Sequence, residues 1–116
     1  EHVHIYKQMP TLFDAMQNAD VTVSAGGTTL YELCACGTPT ITYSFVDNQL
    51  SNVKQFDKDG IMHYAGDVRY DDLIANVIRY LKEYSAQSLR KEMSEKMQRL
   101  VDGKGAERIV RRILDI

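Results

Sequence analysis

The sequence predicts an α/β, Rossmann-like fold: a parallel sheet of about four strands flanked by helices, followed by a helical C-terminal third. Three observations carry that expectation. Short β-branched or apolar segments alternate with helix-patterned ones as far as Gly66, and a glycine pair, Gly26-Gly27, stands where one of these strands turns into a helix. Beyond Gly66 only the three-and-four spacing of amphipathic helices remains. At 116 residues, 44% hydrophobic and 26% charged, the chain has the size and composition of one globular domain.

The first element is a short strand, His2-Val3-His4-Ile5-Tyr6, into which Glu1 leads directly. That abrupt start predicts a piece of a longer protein, truncated at its N-terminus. Pro10 suits the first turn of a helix running to Asn18, with Leu12, Phe13 and Met16 at helical spacing. A strand from about Asp20 to Ser24 follows, then a helix from Thr29 to Cys36, a strand from Pro39 to Phe45, a helix from Asn48 to Lys58 and a short strand near Ile61 to Tyr64. Right-handed crossovers put helices on both sheet faces, which suits the β-branched Val21-Thr22-Val23 and Thr40-Ile41-Thr42-Tyr43. In the last third, Tyr70, Leu73, Ile74, Val77, Ile78 and Leu81 line one helix face, and Leu89, Met93, Met97 and Leu100 line the next. After the break at Asp102-Gly103-Lys104-Gly105, read as a linker, a final helix from Ala106 to Ile116 carries Ile109, Val110, Ile113 and Leu114.

Composition and missing motifs narrow the function. A formal net charge of −2 supplies no basic field for a phosphate backbone, so nucleic acid is not an expected partner. No apolar run approaches the roughly 18 residues of a membrane span, and a basic-then-apolar leader is absent, so no integral membrane segment and a cytoplasmic location are expected. Cys34 and Cys36, two apart on a helix, point away from each other and are expected to be reduced thiols. Nothing clusters in sequence with His2, His4 or His63. There is no metal-ligand spacing, no G-x-x-x-x-G-K-[ST] phosphate loop and no G-x-G-x-x-G fingerprint, so neither a metal nor any other cofactor is expected. Ser24 lacks the first glycine of a nucleophile elbow, which makes it a poor hydrolytic nucleophile.

Open α/β sheets bind ligands beyond the carboxyl ends of their strands. Two such junctions are polar. In Ser24-Ala25-Gly26-Gly27-Thr28-Thr29 the glycines permit close backbone approach and the next helix offers unpaired N–H groups to a diphosphate. The same stretch is also an ordinary turn, and Thr29-Leu30-Tyr31-Glu32 fits a capping box in which Glu32 serves only its own helix. On spacing alone both readings stand, and capping is the simpler; in the other, Glu32 accepts hydrogen bonds from a ribose diol. At Phe45-Val46-Asp47-Asn48-Gln49, Asp47 is a natural N-cap, and Asn48 and Gln49 could reach a phosphate or sugar. Convergence of two such helix openings on one crevice is stronger evidence than either alone.

Three segments together resemble a known group: Ala19-Asp20 through Leu33-Cys34 with Gly37 and Pro39; Asp47-Asn48-Gln49; and Val101 through Ala106 with Arg108-Ile109. The chain is similar, over nearly its whole length, to the C-terminal domain of UDP-sugar hydrolases of the pseudaminic acid pathway and of spore-coat polysaccharide proteins. These are in turn similar to the C-terminal domain of the lipid II N-acetylglucosaminyltransferase family. The resemblance implies one half of a two-domain (GT-B-type) architecture in surface polysaccharide or nonulosonic acid biosynthesis, holding a UDP-sugar. By position, Gly26, Gly27, Thr28 and Thr29 would lie at the diphosphate, Glu32 at the ribose, and Asn48 and Gln49 near the diphosphate or sugar, with Ser24 also among the UDP-sugar-binding residues. The Asp-Asn-Gln form favours a hydrolase, in which water displaces UDP from a diacetamido-trideoxyhexose; a donor-binding glycosyltransferase domain is the alternative. The resemblance places the catalytic histidine in an N-terminal partner domain, so no catalytic residue is expected here and this chain alone would be inactive. It also implies earlier βα units, since this chain begins at what resembles the third strand. A third reading, from another class, is a non-catalytic α/β module whose last helix docks on a partner.

Overall fold

The computed structural model describes residues 2–115, so Glu1, the expected lead into the first strand, and Ile116, the expected end of the last helix, lie outside the described residues. Strands β1 (Thr22–Ala25), β2 (Thr40–Ser44) and β3 (His63–Asp67) form one parallel sheet in the order β1-β2-β3. Helices α1 (Phe13–Asn18), α2 (Thr29–Cys36) and α3 (Leu50–Lys58) alternate with the strands, and α4 (Leu73–Glu83), α5 (Gln87–Leu100) and α6 (Gly105–Leu114) make the helical C-terminal third. The predicted α/β class holds, with three strands among the described residues in place of about four.

The missing strand is His2–Tyr6. Its residues are exposed, Val3 and Ile5 each by 81%, and the segment joins no ladder. Alternation supplies the conformation of a strand, but only a hydrogen-bonded neighbour makes one. The helix expected from Pro10 begins at Phe13, whose N–H is accepted by Thr11 Oγ1 at 3.2 Å.

Two glycines explain the chain's path. Gly37 ends α2 at φ 69°, its N–H donating to the carbonyls of Leu33 and Cys34, and a Cβ there would lie 2.7 Å from Ser94 Oγ of α5. Gly66, expected to mark the end of strand pairing, lies inside β3 at φ +123°, where the register against β2 shifts between Thr42 and Ser44. It is a bulge residue, so β3 extends past the expected Tyr64 to Asp67.

Two apolar clusters flank the sheet. One joins Met16, Leu30, Leu33, Val53, Phe56 and Met97 from α1, α2, α3 and α5 with Met62 just before β3; the other joins Ile41, Ala65, Tyr84 and Met93, with Leu73, Val77 and Tyr80 of α4 packed against it. Coverage on both sides buries all of β2 except Tyr43, which is half-buried, so its hydroxyls need internal partners. Thr40 Oγ1 donates to Thr38 O at 2.7 Å and Ser44 Oγ bonds Tyr64 and Asp67, while Thr42 Oγ1 has no partner among the described residues. At the start of β3, His63 does have a cluster that its sequence neighbours conceal. Its Nδ1 is 2.7 Å from Tyr84 Oη and its ring stacks on Tyr80.

Candidate functional site

Parallel pairing of β1 and β2, with Ala25 opposite Tyr43, brings their carboxyl ends to one edge of the sheet. Gly26 extends the ladder by one bond, its N–H donating to Tyr43 O at 2.7 Å, and then faces the turn after β2. A methyl group at position 26 would lie 2.4 Å from Val53 Cγ1 and 3.3 Å from Gln49 Cβ. The two sequence-predicted junctions are therefore adjacent in space, touching through Gly26 and Gln49. Tyr31 Oη, donating to Asn52 Oδ1 at 3.1 Å, ties α2 to α3 a turn further on.

Gly27 differs from Gly26, since beyond its own chain neighbours no protein atom lies within 4 Å of where its Cβ would be. The protein's own packing accounts for the first glycine and leaves the space at the second open. At the mouth of α2, the N–H groups of Leu30 and Tyr31 donate to Gly27 O and Thr28 O at 3.2 and 3.1 Å. Those of Gly27, Thr28 and Thr29 meet no protein acceptor among the described residues, leaving a short run of donors at the positive end of a helix.

The capping box does not form. The cap position is Thr28, one residue before the box requires, and it makes no side-chain cap bond. Glu32 is exposed and its carboxylate has no hydrogen-bond or ion-pair partner among the described residues. Ser24 and Thr29 are placed differently from the turn: both line a cavity of about 380 Å³ between α1, β1 and α2, with Leu12, Met16 and Val23, and Ser24 Oγ donates to Ala25 O at 3.0 Å.

After β2 the chain makes a 3₁₀ turn, Asp47–Gln49, before α3, so the helix expected from Asn48 begins at Leu50. Asn48 is exposed, while Gln49 Oε1 accepts from Phe45 N–H at 3.0 Å and closes the loop. The expected N-cap role of Asp47 is absent, because its Oδ1 accepts instead from Arg69 Nη2 at 2.8 Å. Arg69, at the same edge of the sheet, is a residue that its sequence neighbours do not mark. Its Nε and Nη2 both donate to Asp67, each at 2.9 Å, and the buried Asp67 also accepts from Ser44 Oγ at 3.1 Å. The hydrogen bonds from Arg69 hold the Asp67 carboxyl well below the usual carboxylate range, and those to Asp67 and then Asp47 push the guanidinium further up. Looking just past the true end of β3 would have found this pair; placing that end at Tyr64 hid it.

Cys34 is buried and Cys36 half-buried, both as free thiols. Among the described residues no group of three or more His, Cys, Asp or Glu side chains is placed to hold a metal ion, and no helix is long and apolar enough to cross a membrane.

A parallel sheet with a glycine turn, a donor-rich helix start and a second polar turn beside it is an arrangement that can be compared with known proteins. Residues 1–113 match the glycosyltransferase family 28 C-terminal domain. The chain belongs to this family. It is 35% identical over 114 residues to the UDP-N-acetylglucosamine--N-acetylmuramyl-(pentapeptide) pyrophosphoryl-undecaprenol N-acetylglucosamine transferase of Helicobacter acinonychis (strain Sheeba), covering 89% of this chain and 31% of that protein. The enzyme of the same name from Helicobacter pylori (strain G27) is 31% identical, covering 99% of this chain and 35% of that protein. The spore coat polysaccharide biosynthesis protein SpsG of Bacillus subtilis (strain 168) is 30% identical, covering 87% of this chain and 30% of that protein. The chain thus spans roughly a third of the length of these relatives. No solved structure gives a significant match. The sheet and its helical tail fit one half of a GT-B-type fold, and the transferase and spore-coat groups in the resemblance are both represented.

Proposed function

We propose that this domain holds the UDP moiety of a UDP-sugar for a two-domain glycosyltransferase of surface polysaccharide biosynthesis, with the acceptor and the catalytic residues supplied by an N-terminal domain of a longer polypeptide. The observation that carries the reading is the contact between the Gly26 turn and the Gln49 turn, which makes one ligand edge out of two modest motifs. In this reading the free N–H groups of Gly27, Thr28 and Thr29 receive the diphosphate, whose charge is favoured by the start of α2. The unpartnered Glu32 carboxylate accepts from the ribose diol, and Asn48 with the free amide nitrogen of Gln49 faces the diphosphate or sugar. Ser24, turned toward the β1 cavity, contributes by shaping the strand end.

The transferase relatives favour transfer to an acceptor. Hydrolysis, put first by the Asp47-Asn48-Gln49 form, has no such support, since the matched family is a glycosyltransferase family and none of the relatives above is named a hydrolase. A UDP-sugar donor and two free thiols support the cytoplasmic setting.

Titrating UDP into the labelled chain and following backbone amide resonances tests the site. Shifts are expected at Gly26 to Glu32 and at Asn48 and Gln49; none at millimolar UDP, or shifts confined elsewhere, would refute it. A parent protein with its N-terminal half should release UDP only when an acceptor is present, and free sugar without acceptor would restore the hydrolase.

A further inference from the structure

We propose that Arg69 is a positioning residue for the donor site, a clamp that fixes the Asp47–Gln49 turn to the end of β3. The inference rests on the donor-site reading above.

The guanidinium is aimed by groups on the sheet and not by its own flexible stem. Two of its nitrogens grip both oxygens of Asp67, the fork-on-carboxylate geometry that fixes a plane as well as a distance. Asp67 is itself held, since its Oδ1 accepts from Arg69 N–H at 2.9 Å, its Oδ2 from Ser44 Oγ, and its own N–H donates to Asp71 Oδ2 at 2.8 Å. With the fork fixed, Nη2 reaches the first residue of the 3₁₀ turn, Asp47 Oδ1, at 2.8 Å. The turn's other ties are short-range: Gln49 N–H to Val46 O at 3.2 Å, and Phe45 N–H to Gln49 Oε1 at 3.0 Å. Arg69 alone among these hydrogen bonds reaches from just past β3, so it adds a second fixed point, beside the Gly26–Gln49 contact, to where Asn48 and Gln49 stand.

Asp47 is an exposed partner, its side chain 84% accessible, and such an ion pair adds little to global stability. Its effect should be local. Charge and position make opposite demands here, because removing the Asp47 carboxylate beside a diphosphate site would by charge alone tighten UDP binding. A positioning role requires the reverse.

The experiment uses the whole chain with two readouts: amide exchange and chemical shifts of residues 48 and 49 without ligand, and UDP affinity. Asp47→Ala should speed exchange at Gln49, whose N–H is bonded to Val46 O, shift the Asn48 amide resonance, weaken UDP about three- to tenfold and leave Tm within about 2 °C of the parent. Unchanged or tighter UDP binding overturns the proposal. Arg69→Met should give the same ligand-free signature at residues 48 and 49, at lower stability because Asp67 loses its partner, and an undisturbed turn in that variant also overturns it. If the parent chain shows no UDP-dependent shifts, the donor-site reading fails. The clamp is then judged on the ligand-free data, where an undisturbed turn in both variants sinks it and a disturbed one sustains it.

Discussion

Gly26 and Val53 stand so close that any side chain at position 26 would collide: its Cβ would lie 2.4 Å from Val53 Cγ1, inside a fully buried contact. Gly27, next in sequence, has open space around it. The two glycines should therefore answer differently to one added methyl group. Gly26→Ala overpacks the seam between β1 and α3, at a cost of about 1–3 kcal/mol, or roughly 4–12 °C in Tm. Gly27→Ala should change Tm by less than about 2 °C, since no neighbour is met, yet weaken UDP binding by crowding the donor run. Thermal unfolding and a UDP titration on both variants separate the effects, and a Gly27→Ala variant that binds UDP normally would remove Gly27 from the site.

Glu32 offers a similar separation. A capping carboxylate would lose helix stability on neutralisation, whereas here the group has no protein partner and the cap position falls one residue early for a box. Glu32→Gln should leave stability within about 0.5 kcal/mol of the parent and weaken binding of UDP more than of inorganic diphosphate, which has no ribose. A fall in Tm with intact UDP affinity would return Glu32 to a structural role.

These contrasts show where sequence reasoning reaches and where it stops. Helix α2 was legible to the residue because its signals are local: a glycine pair before it, Leu30, Leu33 and Cys34 on one face, and Gly37 after it. The strand at His2–Tyr6 was not, because pairing is decided by a neighbour that alternation within the segment cannot reveal. Gly66 misled for a related reason: the same residue type that ends a strand also permits a bulge within one, and the difference lies in the register against β2. That slip shortened β3 and carried Asp67 and Arg69 out of view. Of the site, the two turns were legible as motifs and their convergence as a consequence of parallel pairing. The tie from Arg69 to Asp47, 22 residues apart, was not, because nothing local marks it.

The two cysteines should differ in reactivity. Burial pushes the Cys34 thiol up to about 11, and Cys36 is also raised, by partial burial and then by the negative charge of Glu32. At pH 8 the folded chain should alkylate at Cys36 first, with Cys34 protected until unfolding, as read by mass spectrometry of a timed reaction. Between about pH 9 and pH 11 the folded state keeps the Cys34 proton that the unfolded chain releases, so stability present below pH 9 declines as pH rises through that window. Cys34→Ser would bury a hydroxyl in its place and is a poor control; Cys34→Ala, with a flatter alkaline limb, is the informative variant.

Asp67 governs the opposite limb. Its carboxyl is held below the usual range chiefly by the hydrogen bonds from Arg69, so the folded state gives up its proton at lower pH than the unfolded chain, where an aspartate titrates near 3.9. At any pH between those two values the unfolded state binds more protons, and stability rises with pH. The contribution is fully present above about pH 5 and is lost as pH falls through the lowered native value. Arg69→Met removes the largest cause of that lowering and leaves a buried carboxylate without its fork. It should therefore be less stable than the parent at pH 7 and show a shallower loss between pH 5 and pH 2, so that the two denaturant-midpoint curves draw together in acid. Asp47→Ala, which leaves the Asp67–Arg69 pair intact, should follow the parent's acid limb throughout. Parallel curves for the parent and Arg69→Met would mean that Asp67 is held by Ser44 and the backbone, and not by the arginine.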